Sequence, residues 1–306
     1  MSDAMNSRID VIFCAVDFSD TAALALTYAT RLARRHDAAI VLGHVVESLP
    51  IVPYPTLELP PDGGLELRRW ASEKLAKEAE SLRETGLNVS VAIDDGRPGP
   101  KMIDMAEAAN ASLIVIGTRG LSGIEHLILG STAEYILRRS PIPVLTIHPG
   151  DAPPRDQVDT VVVPTDLSPD AGEAAAFLAK FADLDPRPRA MLVYADSTPP
   201  YFQPFRHEIL AQWNQPDDRK EQIEAKMEPT LQKLREVGFE VETAVLDGDP
   251  VQVVTQFAAE READMILMST HGRSALTNVL TGKTAQRIVQ HAPCPVLTVH
   301  SLPDQE

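Results

Sequence analysis

Cysteine is nearly absent from this chain, with Cys14 and Cys294 alone among 306 residues. They lie far apart, each inside an apolar run, with no Cys-x2-Cys spacing, which argues against a disulfide scaffold and against zinc-ribbon patterns. The expectation is two reduced, buried thiols in a cytoplasmic protein. Long apolar runs are missing too. No segment approaches the ~18 residues of a membrane-spanning helix, and no signal-peptide core stands in the short polar stretch Met1 to Asp10. Positive charge is scarce: 28 Lys and Arg face 44 Asp and Glu, for a net charge of −16. Nucleic-acid binders neutralise phosphates with Lys and Arg, so DNA and RNA are not expected as partners. An anionic membrane surface is disfavoured for the same reason. A local pocket for a single nucleotide remains compatible with this balance.

Two chemistries are absent as patterns. None of the eight histidines stands in a His-x3-His or His-Glu-x2-His arrangement, so no metal site is expected. No Gly-x-Ser-x-Gly elbow is present, which removes the sequence case for an acyl-transfer triad.

What is present is a duplication. Ser140-Pro-Ile-Pro-Val-Leu-Thr-Ile-His148 returns as Ala292-Pro-Cys-Pro-Val-Leu-Thr-Val-His300, at an offset of 152. Gly96-Arg-Pro98 pairs with Gly248-Asp-Pro250, Gly120 with Gly272, and Gly130 with Gly282 at the same offset. Val16-Asp17-Phe18-Ser19 pairs with Thr165-Asp166-Leu167-Ser168 at 149. Domains of 1–149 and 157–306 follow, joined by a Pro- and Gly-rich linker over about 150–156.

Each half alternates strand and helix. In the first, Val11 to Val16 and Ala39 to Val46 are unbroken apolar runs, suited to strands covered on both faces. Asp20 or Ser19 is the expected cap of the helix between them. The Pro50 to Pro61 stretch reads as a loop and Leu65 to Thr85 as a long polar helix stopped by Gly86. Asn88 to Ile93 and Leu113 to Ile116 read as strands, with a helix from Lys101 to Ala109 between them. A helix over Thr132 to Arg138 and a strand over Val144 to Ile147 complete the half. Strict alternation predicts an α/β fold of two tandem doubly wound domains, each a parallel sheet with helices on both faces. Ligands of such folds bind beyond the carboxyl ends of the strands, at the switch point.

One loop there carries chemistry. Gly117-Thr-Arg-Gly120 follows a buried strand, and Gly130-Ser131 opens a helix nine residues later. Glycines let the backbone approach a phosphate, and a helix N-terminus offers N–H groups and a positive dipole end. With Val16-Asp17-Phe18-Ser19 and the closing Pro-Val-Leu-Thr-Ile, this spacing resembles the universal stress protein family, twice over nearly the whole chain. The resemblance implies five-stranded sheets in the order 3-2-1-4-5 and binding of an adenine nucleotide, ATP. It further implies Asp17 near ribose and phosphates, the Val45 backbone at adenine and Ile116 lining the adenine pocket. Gly117, Gly120, Gly130, Ser131 and Thr132 would hold ribose and triphosphate. Asp17 suits either ribose hydroxyls or a magnesium ion on the phosphates. Family members commonly dimerise through their fifth strands, which implies an internal pseudo-dimer of the two halves and leaves room for a homodimer.

The second half departs from this pattern. Ser269-Thr-His-Gly272-x9-Gly282-Lys283-Thr284 replaces the first glycine and the serine, and by the 149 offset Tyr194 stands for Val45. Nucleotide binding is therefore expected of the first half. The leading reading is a stress-response protein acting as a nucleotide-dependent sensor or regulator. The second reading is a slow ATPase of the same fold, with at most weak hydrolysis, since no residue stands out as a water-orienting base, and a nucleotide-independent interaction scaffold is the third. Tyr201-Phe-Gln-Pro-Phe205 is an aromatic cluster expected to cover its own domain.

Overall fold

The computed structural model describes residues 9–47, 63–119, 129–155, 157–168, 174, 177, 188–197, 219–236, 238–269 and 283–299. Gly120, Gly272, Gly282, the Pro50 to Pro61 stretch and the Tyr201 to Phe205 cluster lie outside them. The chain divides into two compact units, Met1–Pro154 and Arg155–Glu306.

The first unit runs β1 (Val11–Ala15), α1 (Asp20–His36), β2 (Ala39–Val46), α2 (Gly63–Glu84), β3 (Val89–Asp95), α3 (Pro98–Ala108), β4 (Leu113–Gly117), α4 (Ser131–Arg139) and β5 (Val144–Ile147). Its strands pair in the order β3-β2-β1-β4-β5, all parallel. Right-handed crossovers put α1 and α2 on one face and α3 and α4 on the other. β1 lies in the centre, which is why its run is apolar throughout: Ile12, Phe13 and Cys14 are fully buried. Phe13 claims its space from β2, where a Cβ on Gly43 would fall 2.0 Å from its Cζ. Likewise, a Cβ on Gly99 of α3 would fall 2.7 Å from the Tyr135 ring of α4. The linker start is tied to this unit, with Asp151 accepting from the His148 amide at 2.7 Å and Tyr28 donating to the Ala152 carbonyl at 2.7 Å.

The second unit repeats the plan with β6 (Thr160–Thr165), β7 (Arg189–Asp196), α5 (Arg219–Glu236), β8 (Glu240–Asp247), α6 (Pro250–Glu260), β9 (Met265–Ser269), α7 (Lys283–His291) and β10 (Val296–Val299). Its order is β8-β7-β6-β9-β10, again parallel. Ala174 and Phe177 are helical and buried. No helix among the described residues is long and apolar enough to cross a membrane.

One sequence expectation shifts. The third helix begins at Pro98 rather than Lys101, since a proline in the first turn has a preset φ and needs no amide partner. The turn before it needs Gly96, whose φ of +132° is open to few other residues while its amide donates to the Val46 carbonyl at 3.0 Å.

Candidate functional site

β1 ends in a kink. Phe18 adopts a left-handed φ of +63°, which folds the Ser19 amide back onto Asp17 Oδ1 at 3.0 Å. The Ser19 hydroxyl donates to the same oxygen at 2.5 Å and accepts from the Ala22 amide at 3.1 Å. Ser19, not Asp20, is thus the cap of α1, and Asp20 is its first residue. Asp17 is half buried, and its Oδ2 takes no part in this turn.

The end of β2 is locked to the same place. The Val16 amide donates to the Gly43 carbonyl at 2.8 Å. His44 places Nδ1 2.7 Å from the Val16 carbonyl, and since a carbonyl only accepts, Nδ1 carries the proton. Val45, next along, is buried and lies in register with Asp94 of β3.

β4 delivers the third component. Ile116 is buried and faces Thr146 across the ladder to β5. A Cβ on Gly117 would lie 2.9 Å from Thr21 Cγ2 and 3.2 Å from the Thr21 carbonyl carbon. The glycine therefore admits the first turn of α1, a demand its loop position did not reveal. The Gly130 amide donates to the Thr118 carbonyl at 2.8 Å, closing the ends of the 119–129 excursion. Gly130 is the N-cap of α4 and has no side chain with which to cap that helix. Ser131 is exposed and Thr132 half buried in its first turn. The Arg119 carbonyl lies 3.4 Å from the Ser19 hydroxyl, so the β1 and β4 loops touch. Asp17, Gly117, Gly130, Ser131 and Thr132 thus gather at the carboxyl ends of β1 and β4, with Ile116 on β4 and Val45 on the flanking β2.

The second unit keeps the kink: Leu167 has φ +66° and Asp166 Oδ1 accepts from the Ser168 amide at 3.0 Å. Ser269 closes β9, and Lys283 opens α7, where its charge opposes the helix dipole. The assignment of Tyr194 is corrected by strand register. Val11 pairs with Ala39 in the first unit, a separation of 28 (39 − 11), whereas Thr160 pairs with Arg189, a separation of 29 (189 − 160). Tyr194 therefore stands where His44 does, and Ala195 stands for Val45. One of the three residues that separate the offsets 149 and 152 enters ahead of β7, which counting from the Asp-x-Ser motif misses.

Three participants escaped the sequence: Thr21, Trp70 and Lys74. Their partners are non-local, and no short pattern announces them. The Phe18 ring lies 4.8 Å from His44 and 5.0 Å from Trp70, centroid to centroid.

A model of the Universal stress protein family matches residues 8–148 and again residues 157–300. A universal stress protein of Mycolicibacterium smegmatis is 29% identical over 299 residues, covering 94% of this chain and 96% of that protein. One from Methanocaldococcus jannaschii is 32% identical over 136 residues, 43% of this chain and 77% of its own length. Among solved structures, a universal stress protein from Archaeoglobus fulgidus has a TM-score of 0.71 at 20% identity, covering 99% of this chain and 100% of that one. At that identity the likeness speaks for the fold alone.

Proposed function

The chain belongs to the universal stress protein family as a tandem two-domain member, and from that premise we propose that its first unit binds ATP and acts as a nucleotide-dependent sensor or regulator in a stress response. One observation carries the reading. α4 starts at Gly130, a residue with no side chain to cap it, beside the Asp17 turn and the end of β4. A helix start whose cap residue is glycine offers amide donors and a positive dipole end, which suit a phosphate.

In this reading Ser131, Thr132 and the backbone at Gly117, Gly120 and Gly130 hold ribose and triphosphate. The Val45 backbone and Ile116 meet adenine. Asp17 turns Oδ2 toward the ribose hydroxyls, or toward a magnesium ion that shields the phosphates when one accompanies them. Binding is assigned to the first unit, because Lys283 and Ser269 replace the serine and the glycine in the second.

Native mass spectrometry of the full chain tests the proposal: one adenine nucleotide per chain, co-purified or added, is expected. A Cβ on Gly130 would meet the Thr118 carbonyl oxygen at 3.2 Å, so the branched side chain of Gly130→Val crowds this turn. That variant should lose the nucleotide with the second unit still folded. A wild-type chain that takes up no nucleotide would sink the reading. Steady turnover abolished by one side-chain change, with binding kept, would instead point to a slow ATPase.

A further inference from the structure

The first unit carries a group of side chains that its fold does not require. Trp70, on α2, meets the Phe18 ring edge-on at 5.0 Å. Lys74, one turn further on, sets its ammonium 4.8 Å from the Trp70 ring centre and 5.7 Å from that of Phe18. Trp70 nevertheless remains 43% exposed. The plainest account is that these rings brace the left-handed backbone of Phe18, a costly conformation for a bulky residue.

The second unit removes that account. Gly86 and Gly238 follow α2 and α5 with φ of +89° and +88°. Counting back by the same number from each (86 − 70 = 238 − 222) sets Gln222 against Trp70. The buried Ala71, Leu75 and Ala79 then match the buried Ile223, Met227 and Leu231. With Gln222 for Trp70, Tyr194 for His44 and Leu167 for Phe18, the second unit still forms the kink and the carboxylate–amide contact. The aromatic set is therefore surplus to the turn. Among the described residues it stands in the unit whose α4 starts at Gly130, and through Phe18 and His44 it adjoins Asp17 at the ends of β1 and β2.

We infer that Trp70, backed by Phe18 and flanked by Lys74, is a stacking wall for the purine base of the bound nucleotide and sets the base selectivity of the site. This rests on the nucleotide reading above. Lys74 lies over the indole ring, and Trp70 keeps 43% of its surface exposed, on which a planar base can stack. Stacking grows with ring area, so a two-ring base gains more than a one-ring base. In the second unit Gln222, at this place, offers no ring.

The test is a fluorescence titration of the full-length Trp213→Phe variant, in which Trp70 is the remaining tryptophan. ATP should quench its emission saturably, and CTP should do so more weakly. In a Trp70→Ala chain, followed by calorimetry, ATP affinity should fall about tenfold and the preference over CTP should collapse. Trp70→Phe should restore both in large part. Thermal melts of each variant separate loss of binding from loss of fold. If Trp70→Ala keeps both the ATP affinity and the ATP-to-CTP ratio of the parent, the wall is refuted while the nucleotide site stands. If the parent binds no nucleotide, both fall together.

Discussion

The hydroxyl of Ser19 lies 2.5 Å from Asp17 Oδ1 and 3.1 Å from the Ala22 amide, so one oxygen orients the carboxylate and caps α1. Ser19→Ala removes both contacts. The lost cap should cost about 1 kcal/mol, lowering the melting temperature by roughly 2–4 °C. Nucleotide affinity should fall further than that of a control that weakens another helix cap equally, such as Asp249→Ala in the second unit. Equal affinity in the two variants would separate Asp17 from the ligand.

Gly117→Ala should destabilise the first unit by about 1–3 kcal/mol through overpacking, because the new Cβ meets Thr21. Thr21→Ser removes the Cγ2 at 2.9 Å but leaves the backbone carbon at 3.2 Å. The double variant should therefore recover part of the loss, and a double-mutant cycle by denaturant melts reads the coupling. Strict additivity would contradict the contact.

Cys14 should be inert in the folded chain. Burial, and secondly the charge of Glu78, push its thiol from the ordinary 9.0 up to about 12. In a Cys294→Ser background, a thiol reagent at neutral to mildly alkaline pH should modify Cys14 only at the rate of unfolding. Because the folded value is raised, this group's stabilisation is complete below 9.0 and is lost as pH rises towards about 12. Alkaline melts of Cys14→Ala should show a shallower decline across that window.

The ion pair of Lys101 with Asp94, 2.9 Å apart, bridges α3 and β3. The hydrogen bond from Lys101 lowers the Asp94 carboxyl below its ordinary 3.8, aided by the Asp95 amide, and Asp94 in turn raises Lys101 above 10.5. The Asp94 contribution is present above 3.8 and is lost as pH falls through the lowered value. The Lys101 contribution is present below 10.5 and is lost as pH rises through the raised one. In Lys101→Met, carbon-detected titration should return Asp94 toward 3.8, and salt should have the same effect in the parent.

Much of this fold was readable from local pattern. Val144–Ile147 was expected with the bounds the structure gives it, because it is a short apolar run fenced by prolines. The duplication carried the domain plan, since matched motifs in one order need no knowledge of contacts. What the sequence hid was non-local. Gly117 looked like a phosphate cradle, and its Cα turns out to face Thr21, ninety-six positions earlier (117 − 21 = 96). Trp70 looked like one residue of a polar helix, and only packing brings it to Phe18. Val45 and Tyr194 were matched by counting, and strand pairing moves the match by one residue.

That one-residue difference between the two β ladders has a practical meaning for engineering. Adjacent residues of a strand point to opposite faces. A transplant of the first site into the second unit, laid out by numerical offset, would turn its β7 substitution to the wrong side of the sheet. A chimera built by strand pairing would instead carry Tyr194→His and Ala195→Val, together with Gln222→Trp and Leu167→Phe. The extra residue before β7 thus divides designs that match the first unit's strand register from designs that merely rewrite the sequence.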